Sequence, residues 1–567
     1  MNRRTTLAAL LGNRANISNA APPHGGHTST AAGPSPVNSG LAPYTGPFEF
    51  EQAAHLLRRT TFGPTYKNIK DVAANGLDAA MSQLFAAQLL PAPPLNFAFA
   101  EDPNVPIGET WIDAPYTADN INDIRAARSQ SLRGWTISVM LNSSLSIWEK
   151  MTLFWHNHFV TADVNDPKFV YNYITLLREN ALGNFRELTK MVTVNPSMLR
   201  YLNGRDNIAA APNENYAREL LELFTIGKGP LVGPGDYTNY TEDDVVQIAR
   251  VLTGWRDLGF NTVNPAQPVT SVFVPNRHDN GTKVLSPRFD NEVITDLGDQ
   301  EYAHLVDIIF SKDECARFLC RKLYRWFVYY SIDDEVEANV IAPMAQIMLD
   351  NDYQVQPALE ALLRSEHFFD MLNVGPMIRN PIDFIMSVQN IFEVEYPQNN
   401  LNQQYRLWWN LFRTTLAPMQ MVYYDPPSVA GWKAYYQEPV FYRNWISSAT
   451  LPVRMSYTTT MVMQGIQAAG AKAQIDALKF VASLDDPFDP NSVIAEFSKI
   501  LFPQPITQSQ QDILKEVLIP GLPDFEWTVE YSDYINNPND PNLAAAVESK
   551  LRNLLVAMLS MPEFFLS

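Results

Sequence analysis

The chain has 567 residues, more than one hydrophobic core usually supports, and a globular composition in which 46 % of the residues are hydrophobic. Its formal net charge of −19 repels phosphate backbones and anionic lipids, which argues against nucleic-acid binding. No stretch reaches the roughly 20 apolar residues that a transmembrane helix needs. The sequence therefore predicts a large soluble protein of two or three packed parts.

The first 46 residues are rich in Ala, Pro, Gly and Ser and lack helical periodicity. We predict a low-complexity N-terminal arm at 1–46, because this composition buries too little apolar surface to offset the ~1–2 kcal/mol of backbone entropy lost per ordered residue. Such an arm would lie across the body or along a second copy, which makes it a candidate for self-association. Met1 to Leu11 begins like a twin-arginine export signal, but its apolar stretch is short and Arg14 follows it.

From Phe48 onward, apolar residues recur at helical spacing, and the first predicted helix covers 52–59. Later helices are marked by Ser, Thr or Asn, whose side chains accept hydrogen bonds from the free N–H groups of a first turn. These start signals are Ser146 with Glu149, Asn213 for a helix running to Gly227, and Thr241 with Asp244 for a helix running to about Trp255.

Strand signals are sparse. The clearest is Val269 to Val274, followed by a turn at 279–281 and by Lys283 to Leu285, which together predict one hairpin. The sequence therefore predicts a mainly α fold, a large multi-helix assembly with at most one or two small β hairpins. After the arm, we expect a helical core at 47–455 and a C-terminal helical region at 456–567 packed on that core.

The two cysteines, Cys315 and Cys320, lie five residues apart on a predicted helix and should point to different sides of it. This spacing predicts no disulfide between them. No zinc or haem cysteine motif is present in the sequence.

The segment 154–159 contains two histidines, His156 and His158, among aromatic residues. Two histidines separated by one residue can share a metal ion where the backbone is extended, but on a helix they point to nearly opposite sides. The alternative interpretation is structural. In that case His158 is buried and hydrogen-bonded to the backbone, with His156 on the other face.

The predicted helix after Asn213 places Arg218 with three acids, Glu214, Glu219 and Glu222, away from its apolar face. Such a face could supply metal ligands or a general base. The alternative is a solvated face stabilised by ion pairs, in which Glu214 and Arg218 pair at four-residue spacing.

Two further segments could contribute to a site. His278 and Asp279 lie at the tip of a turn, where they could coordinate a metal or polarise water, or simply cap the turn. The loop 425–437 combines paired prolines with a Gly-Trp step, which is typical of a rigid aromatic loop that walls a pocket, binds a partner or only packs on the surface.

Together these motifs resemble the domain of unknown function 1800 family. The resemblance implies no established reaction or cofactor, but it implies a periplasmic or extracellular location, and as a candidate partner a protein of a neighbouring exported family that resembles sulfatases and alkaline phosphatases. The chain departs from the family in its weak export signal and in an insertion at 229–235. The matching segments are 54–64, 154–159, 213–227, 240–245, 249–255, 278–279, 320–323 and 426–432.

Two functional hypotheses follow. The first is a metal-assisted enzyme, a hydrolase or oxidoreductase, in which the segments 154–159, 213–227 and 278–283 meet around a divalent metal ion. The second is a non-catalytic interaction or scaffold protein whose arm and 426–445 loop hold partners. In the first hypothesis, the metal ligands are His156, His158 and His278, and the acids that complete the shell or act as base are Glu214, Glu219 and Asp279.

Overall fold

The computed structural model describes residues 39–233 and 236–567. Helix accounts for 56 % and strand for 6 %, so the predicted mainly α class is confirmed. The export-like segment and residues 1–38 of the predicted arm lie outside the described residues. No helix within the described ranges is long and apolar enough to cross a membrane.

The helices follow one another through the whole described chain. In the first half they are Phe50–Thr60, Tyr66–Leu84, Ile121–Leu141, Trp148–His158, Pro167–Glu179, Phe185–Thr193, Pro196–Tyr201, Glu214–Glu219 and Glu242–Val251. In the second half they are Glu301–Phe310, Glu314–Phe327, Asp334–Val336, Ala342–Asp350, Val355–Leu363, Pro381–Ile391, Leu401–Leu411, Thr450–Met463, Ala477–Ala482, Pro490–Leu501, Gln508–Leu518, Asp524–Asn536 and Pro541–Leu559.

Two of the three predicted helix starts are confirmed. Asn213 caps helix Glu214–Glu219, which continues as a π-helical turn and stops before Gly227, where φ is +71°. Thr241 forms a capping box with Asp244. The capping box predicted for Ser146 is wrong, because the carboxylate of Glu149 instead pairs with a buried arginine.

Four two-stranded antiparallel sheets occur in the described residues, against the one or two hairpins expected. The predicted pairing of 269–274 with 283–285 is wrong, because the first segment pairs with a strand before it and the second with a strand after it. The pairs are Leu231–Gly233 with Asp236–Tyr237, Trp255–Leu258 with Thr270–Phe273, Lys283–Val284 with Val293–Ile294, and Ile466–Ala468 with Ala471–Ala473.

The buried apolar side chains form one cluster that extends from Ala53 to Phe565. The boundary expected at 455 falls inside helix Thr450–Met463, and residues on both sides of it belong to this cluster. Cys315 and Cys320 are both buried free thiols.

The described end of the predicted arm, residues 39–46, runs along the segment 364–370. The Tyr44 N–H donates to the Arg364 carbonyl over 2.8 Å, and the Glu366 N–H donates to the Ala42 carbonyl over 2.8 Å. These backbone hydrogen bonds attach this part of the chain to the body.

Candidate functional site

His156 is fully buried near the end of helix Trp148–His158. Its Nε2 accepts a hydrogen bond from the Tyr424 N–H over 3.1 Å, and its ring lies among Tyr423, Tyr424 and Trp432. Burial lowers the pKa of His156 to about 3, so the ring is neutral at physiological pH. His156 therefore holds the backbone at Tyr424, immediately before the aromatic loop 425–437.

The next residue, Asn157, holds the same loop at a second point. Its side-chain oxygen accepts a hydrogen bond from the Trp432 N–H over 2.9 Å. The backbone of Gly431 passes so close that an added Cβ would lie 2.4 Å from the Asn157 Oδ1 atom, and its φ is +92°. Glycine is therefore required at this contact.

We expect Gly431→Ala to lower the free energy of unfolding by about 2–4 kcal/mol, because it combines left-handed backbone strain with a clash against Asn157. Gly470→Ala is the matched control, since Gly470 has φ +76° but nothing within 4 Å of an added Cβ. Urea unfolding of both variants measures the difference. Equal losses would show that the contact with Asn157 contributes nothing.

His158 points into the core and is engaged on both ring nitrogens. Its Nε2–H donates to the Phe224 carbonyl over 2.9 Å, and its Nδ1 accepts from the Lys322 ammonium over 3.2 Å. Lys322 also donates to the Leu223 carbonyl over 2.7 Å. This arrangement matches the structural alternative for His158, and it joins the segment 154–159 to the end of the segment 213–227.

Lys322 predicts a pH dependence of stability. Burial, followed by repulsion from Arg325, lowers the pKa of Lys322 to about 7, whereas the unfolded chain has the usual value of 10.5. The unfolded state thus binds more protons between these values, so the stability contributed by Lys322 rises as pH increases from 7 to 10.5, by at most about 1.4 kcal/mol per pH unit. We expect Lys322→Met to remove this rise in urea titrations, whereas Lys67→Met, at an exposed position, keeps it.

The acidic face of helix Glu214–Glu219 is largely paired. Arg218 donates to both oxygens of Glu242 over 2.7 Å and to Glu214 over 3.2 Å, so the predicted four-residue pair is present. Glu219 is half-buried, and burial, followed by repulsion from Glu222, raises its pKa. No hydrogen bond or ion pair connects Glu214 or Glu219 to a histidine within the described ranges.

Asp279 is held by an arginine and by its own turn. Arg250 binds its two oxygens over 2.8 and 3.1 Å, and the Gly281 N–H donates to it over 2.8 Å. The hydrogen bond from Arg250, ahead of that from Gly281, lowers the pKa of Asp279. Asp279 therefore remains a paired carboxylate that closes the turn.

His278 is the one predicted ligand that faces two carboxylates. Its Nε2 lies 3.2 Å from Glu301 Oε2 and 3.9 Å from Asp296 Oδ1. His278 and Glu301 are buried, whereas the Asp296 side chain is 45 % exposed. The Lys283 ammonium is fully buried and pairs with the other oxygen of Glu301 over 2.5 Å.

This is also the one group of three metal-ligating side chains found in the described residues, with ligand atoms within 4.8 Å of one another. We call His278, Asp296 and Glu301 the His278 triad. His156 and His158 belong to no such group, so the three histidines serve three separate environments.

Sequence reasoning missed Asp296 and Glu301, and it placed Lys283 in the candidate segment 278–283 without giving it a role. Pairing of Lys283–Val284 with Val293–Ile294 brings the two later residues back to His278, and no local pattern signals that pairing. The one available signal was a glutamate at the first position of helix Glu301–Phe310, where acids are common for reasons of helix electrostatics.

The family predicted from the motifs is confirmed. A family model described as a protein of unknown function (DUF1800) matches residues 55–566, and the chain belongs to that family. No curated protein and no solved structure matched the chain.

Proposed function

We propose that the chain binds a divalent cation in the His278 triad and supports a metal-assisted reaction there. The observation that carries this proposal is the direction of the His278 lone pair. The Thr253 carbonyl lies 2.9 Å from Nδ1 of His278 and can only accept, which favours the tautomer with hydrogen on Nδ1. The Thr253 hydroxyl, 3.1 Å from the same Nδ1, has an acceptor of its own in the Arg250 carbonyl, 2.7 Å away.

A neutral His278 ring with hydrogen on Nδ1 directs the free electron pair of Nε2 at the carboxylates of Glu301 and Asp296. Three acceptors facing one another repel unless a cation lies between them. A histidine whose other nitrogen donates to a backbone carbonyl is the usual arrangement of a metal ligand. One nitrogen and two carboxylates also form a ligand set that zinc accepts.

The surroundings of the triad are more typical of a catalytic metal site, which keeps one coordination position open, than of a structural metal site, in which protein side chains fill every position. Lys283 orients Glu301 by pairing with its Oε1 atom, and the Leu297 N–H donates to Oε2 over 3.3 Å. Asp296 lies on the solvent side, which leaves an accessible direction for water or substrate. A metal with three protein ligands and one open position can activate a bound water as a nucleophile.

The alternative to a metal site is a purely structural role for the triad, which the charge on Lys283 favours. With a proton on Nε2 of His278, two cations and two carboxylates would balance one another, and the triad would be a structural polar cluster. The two proposals differ in one measurable property, since only the first requires a bound metal.

Metal analysis of the purified full-length chain tests this choice. We expect about one equivalent of zinc or another divalent metal per wild-type chain, the loss of that metal in His278→Ala and Glu301→Gln, and its retention in Asp299→Asn, the matched control on the same exposed turn. Hydrolysis of a p-nitrophenyl ester by the loaded but not the chelator-treated protein would support catalysis. A metal-free wild type that takes up no metal would leave the scaffold hypothesis.

A further inference from the structure

A second group of charged side chains, separate from the His278 triad, contains more buried cations than carboxylates to pair with them. Five cationic side chains are at least 92 % buried near one another, near the ends of three helices and in the segment before helix Pro381–Ile391. They are Arg58, Arg59, Lys150, Arg379 and Arg454. Burial lowers the pKa of each of the other four, and repulsion from Arg379 lowers it further. Arg379 lines one cavity with Arg58, Arg59 and Lys150, and its carbonyl accepts from Arg454 over 2.9 Å.

Asp383 is the carboxylate that forms an ion pair within this group, and the exposed Glu51 attracts Arg58 from further away. Asp383 forms an ion pair with Lys150 and accepts from the Asn380 amide over 2.8 Å, and no other ion pair to the five occurs in the described residues. Other buried arginines of this chain have their own acid, as Arg128 has Asp102 at 2.8 Å. The excess of buried positive charge is therefore particular to this group, in a chain with a net charge of −19.

The guanidinium of Arg379 has donors without acceptors. Its Nε–H donates to the Leu566 carbonyl over 2.9 Å, but Nη1 and Nη2 have no hydrogen-bond partner among the described residues. The same holds for Nε of Arg59 and for Nε and Nη1 of Arg454. Buried donors are normally satisfied, and leaving each unpaired costs about 1–3 kcal/mol.

Arg379 and Arg59 are among the residues that line a small cavity of about 20 Å³ beside these unpaired donors. Tyr435 and Tyr442, both partly exposed, form part of its rim. Tyr435 belongs to the loop 425–437, for which the sequence suggested a pocket wall, and Tyr442 follows that loop. Arg58 and Arg59 belong to the segment 54–64, which matches the family.

Aromatic rings compensate part of the charge but not the donors. Arg379 lies 5.0 Å from the ring centre of Phe564, Arg454 4.8 Å from that of Phe384, and Lys150 5.0 Å from that of Phe62. Burial lowers the pKa of Arg379 to about 10, and burial together with repulsion from Arg379 lowers the pKa of Arg59 to about 9, so both remain charged at pH 7.

We propose that this cavity, which we call the cationic cavity, binds a phosphate or sulfate group, as the free ion or as an ester. A compact dianion would offset part of the excess positive charge and would offer acceptors to the unpaired N–H groups. The two terminal nitrogens of Arg379 present the fork that binds two oxygens of an oxyanion at once. This proposal is independent of the His278 triad and of its metal.

Isothermal titration calorimetry on the full chain, at constant ionic strength, tests the proposal with inorganic phosphate, sulfate, methyl phosphate and acetate. We expect saturable binding of phosphate or sulfate, and binding at least about tenfold weaker in Arg379→Met, since a charge-assisted hydrogen bond is worth about 1.5–3 kcal/mol. Arg443→Met, at an exposed position in the same loop, is the matched control and should bind as the wild type does. Tighter binding of methyl phosphate than of phosphate would assign the site to an ester, and the reverse order to the free ion.

Arg379→Met should fold, because it removes a buried charge without removing a partner of another charge. Its melting temperature without anion should equal or exceed that of the wild type, and the rise that phosphate causes in the wild type should be absent. Arg59→Met provides the same test at a second position. The proposal is overturned if the wild type binds no dianion, if both variants bind it with wild-type affinity, or if acetate binds as tightly as phosphate.

Discussion

Lys283→Met is expected to lower the free energy of unfolding by about 3–5 kcal/mol. Lys283 and Glu301 are both fully buried and pair over 2.5 Å. Removing the ammonium leaves the carboxylate without its cation in the core, and an uncompensated buried charge is among the most destabilising changes known. Lys283 also donates to the Asp279 carbonyl, so the turn that carries His278 loses a contact as well.

The same variant separates the two proposals for the His278 triad. A divalent cation bound by Glu301 would compensate for the missing ammonium, so zinc or manganese should restore part of the lost stability of Lys283→Met. It should also bind this variant more tightly than the wild type, because a repelling charge has been removed. Urea unfolding with and without metal measures both effects. An equal loss of stability in both conditions would argue for a purely structural cluster.

Glu149→Ala is expected to have an effect of similar size, about 3–5 kcal/mol. Glu149 binds Arg178 through two hydrogen bonds of 2.6 and 3.0 Å, and both side chains are buried. The variant strands the Arg178 guanidinium above the ring of Trp135, 5.2 Å from its centre. Thermal and urea unfolding of the variant and the wild type measure the loss in the free energy of unfolding.

Two controls make this result specific. Asp71→Ala breaks an exposed pair with Lys67 and should cost less than about 1 kcal/mol, because water screens both charges. Glu149→Leu combined with Arg178→Met should recover most of the loss, since it removes both buried charges together. A small effect of Glu149→Ala alone would show that Arg178 finds another partner or reaches water.

Local patterns in the sequence predict the helices well. The cap at Asn213, the capping box at Thr241 and the stop before Gly227 each depend on a few adjacent residues, and all three are present. The capping box at Ser146 failed because Glu149 has a stronger partner 29 residues away. Helix ends are thus predictable until a long-range charge competes for the capping side chain.

The candidate sites depend on pairings that no local pattern contains. His278 was a candidate from the sequence, but Asp296 and Glu301 reach it only through a two-residue strand pairing. His156 and His158 were candidate ligands because they are polar residues among aromatic ones. Their spacing did not predict that each would form hydrogen bonds with a different part of the chain. The cationic cavity combines residues as distant as Arg58 and Arg379, whose individual signals were only basic residues near helix ends.

An anomalous difference map from a crystal of the full chain soaked in zinc or manganese tests the proposed metal site most directly. The proposal predicts one strong peak about 2.0–2.2 Å from Nε2 of His278, with Glu301 and Asp296 oxygens at similar distances and no peak at His156 or His158. Data from Asp299→Asn crystals should show the same peak. A wild-type map without density between these three side chains, with Nε2 of His278 in direct hydrogen-bond contact with Glu301, would contradict the proposal.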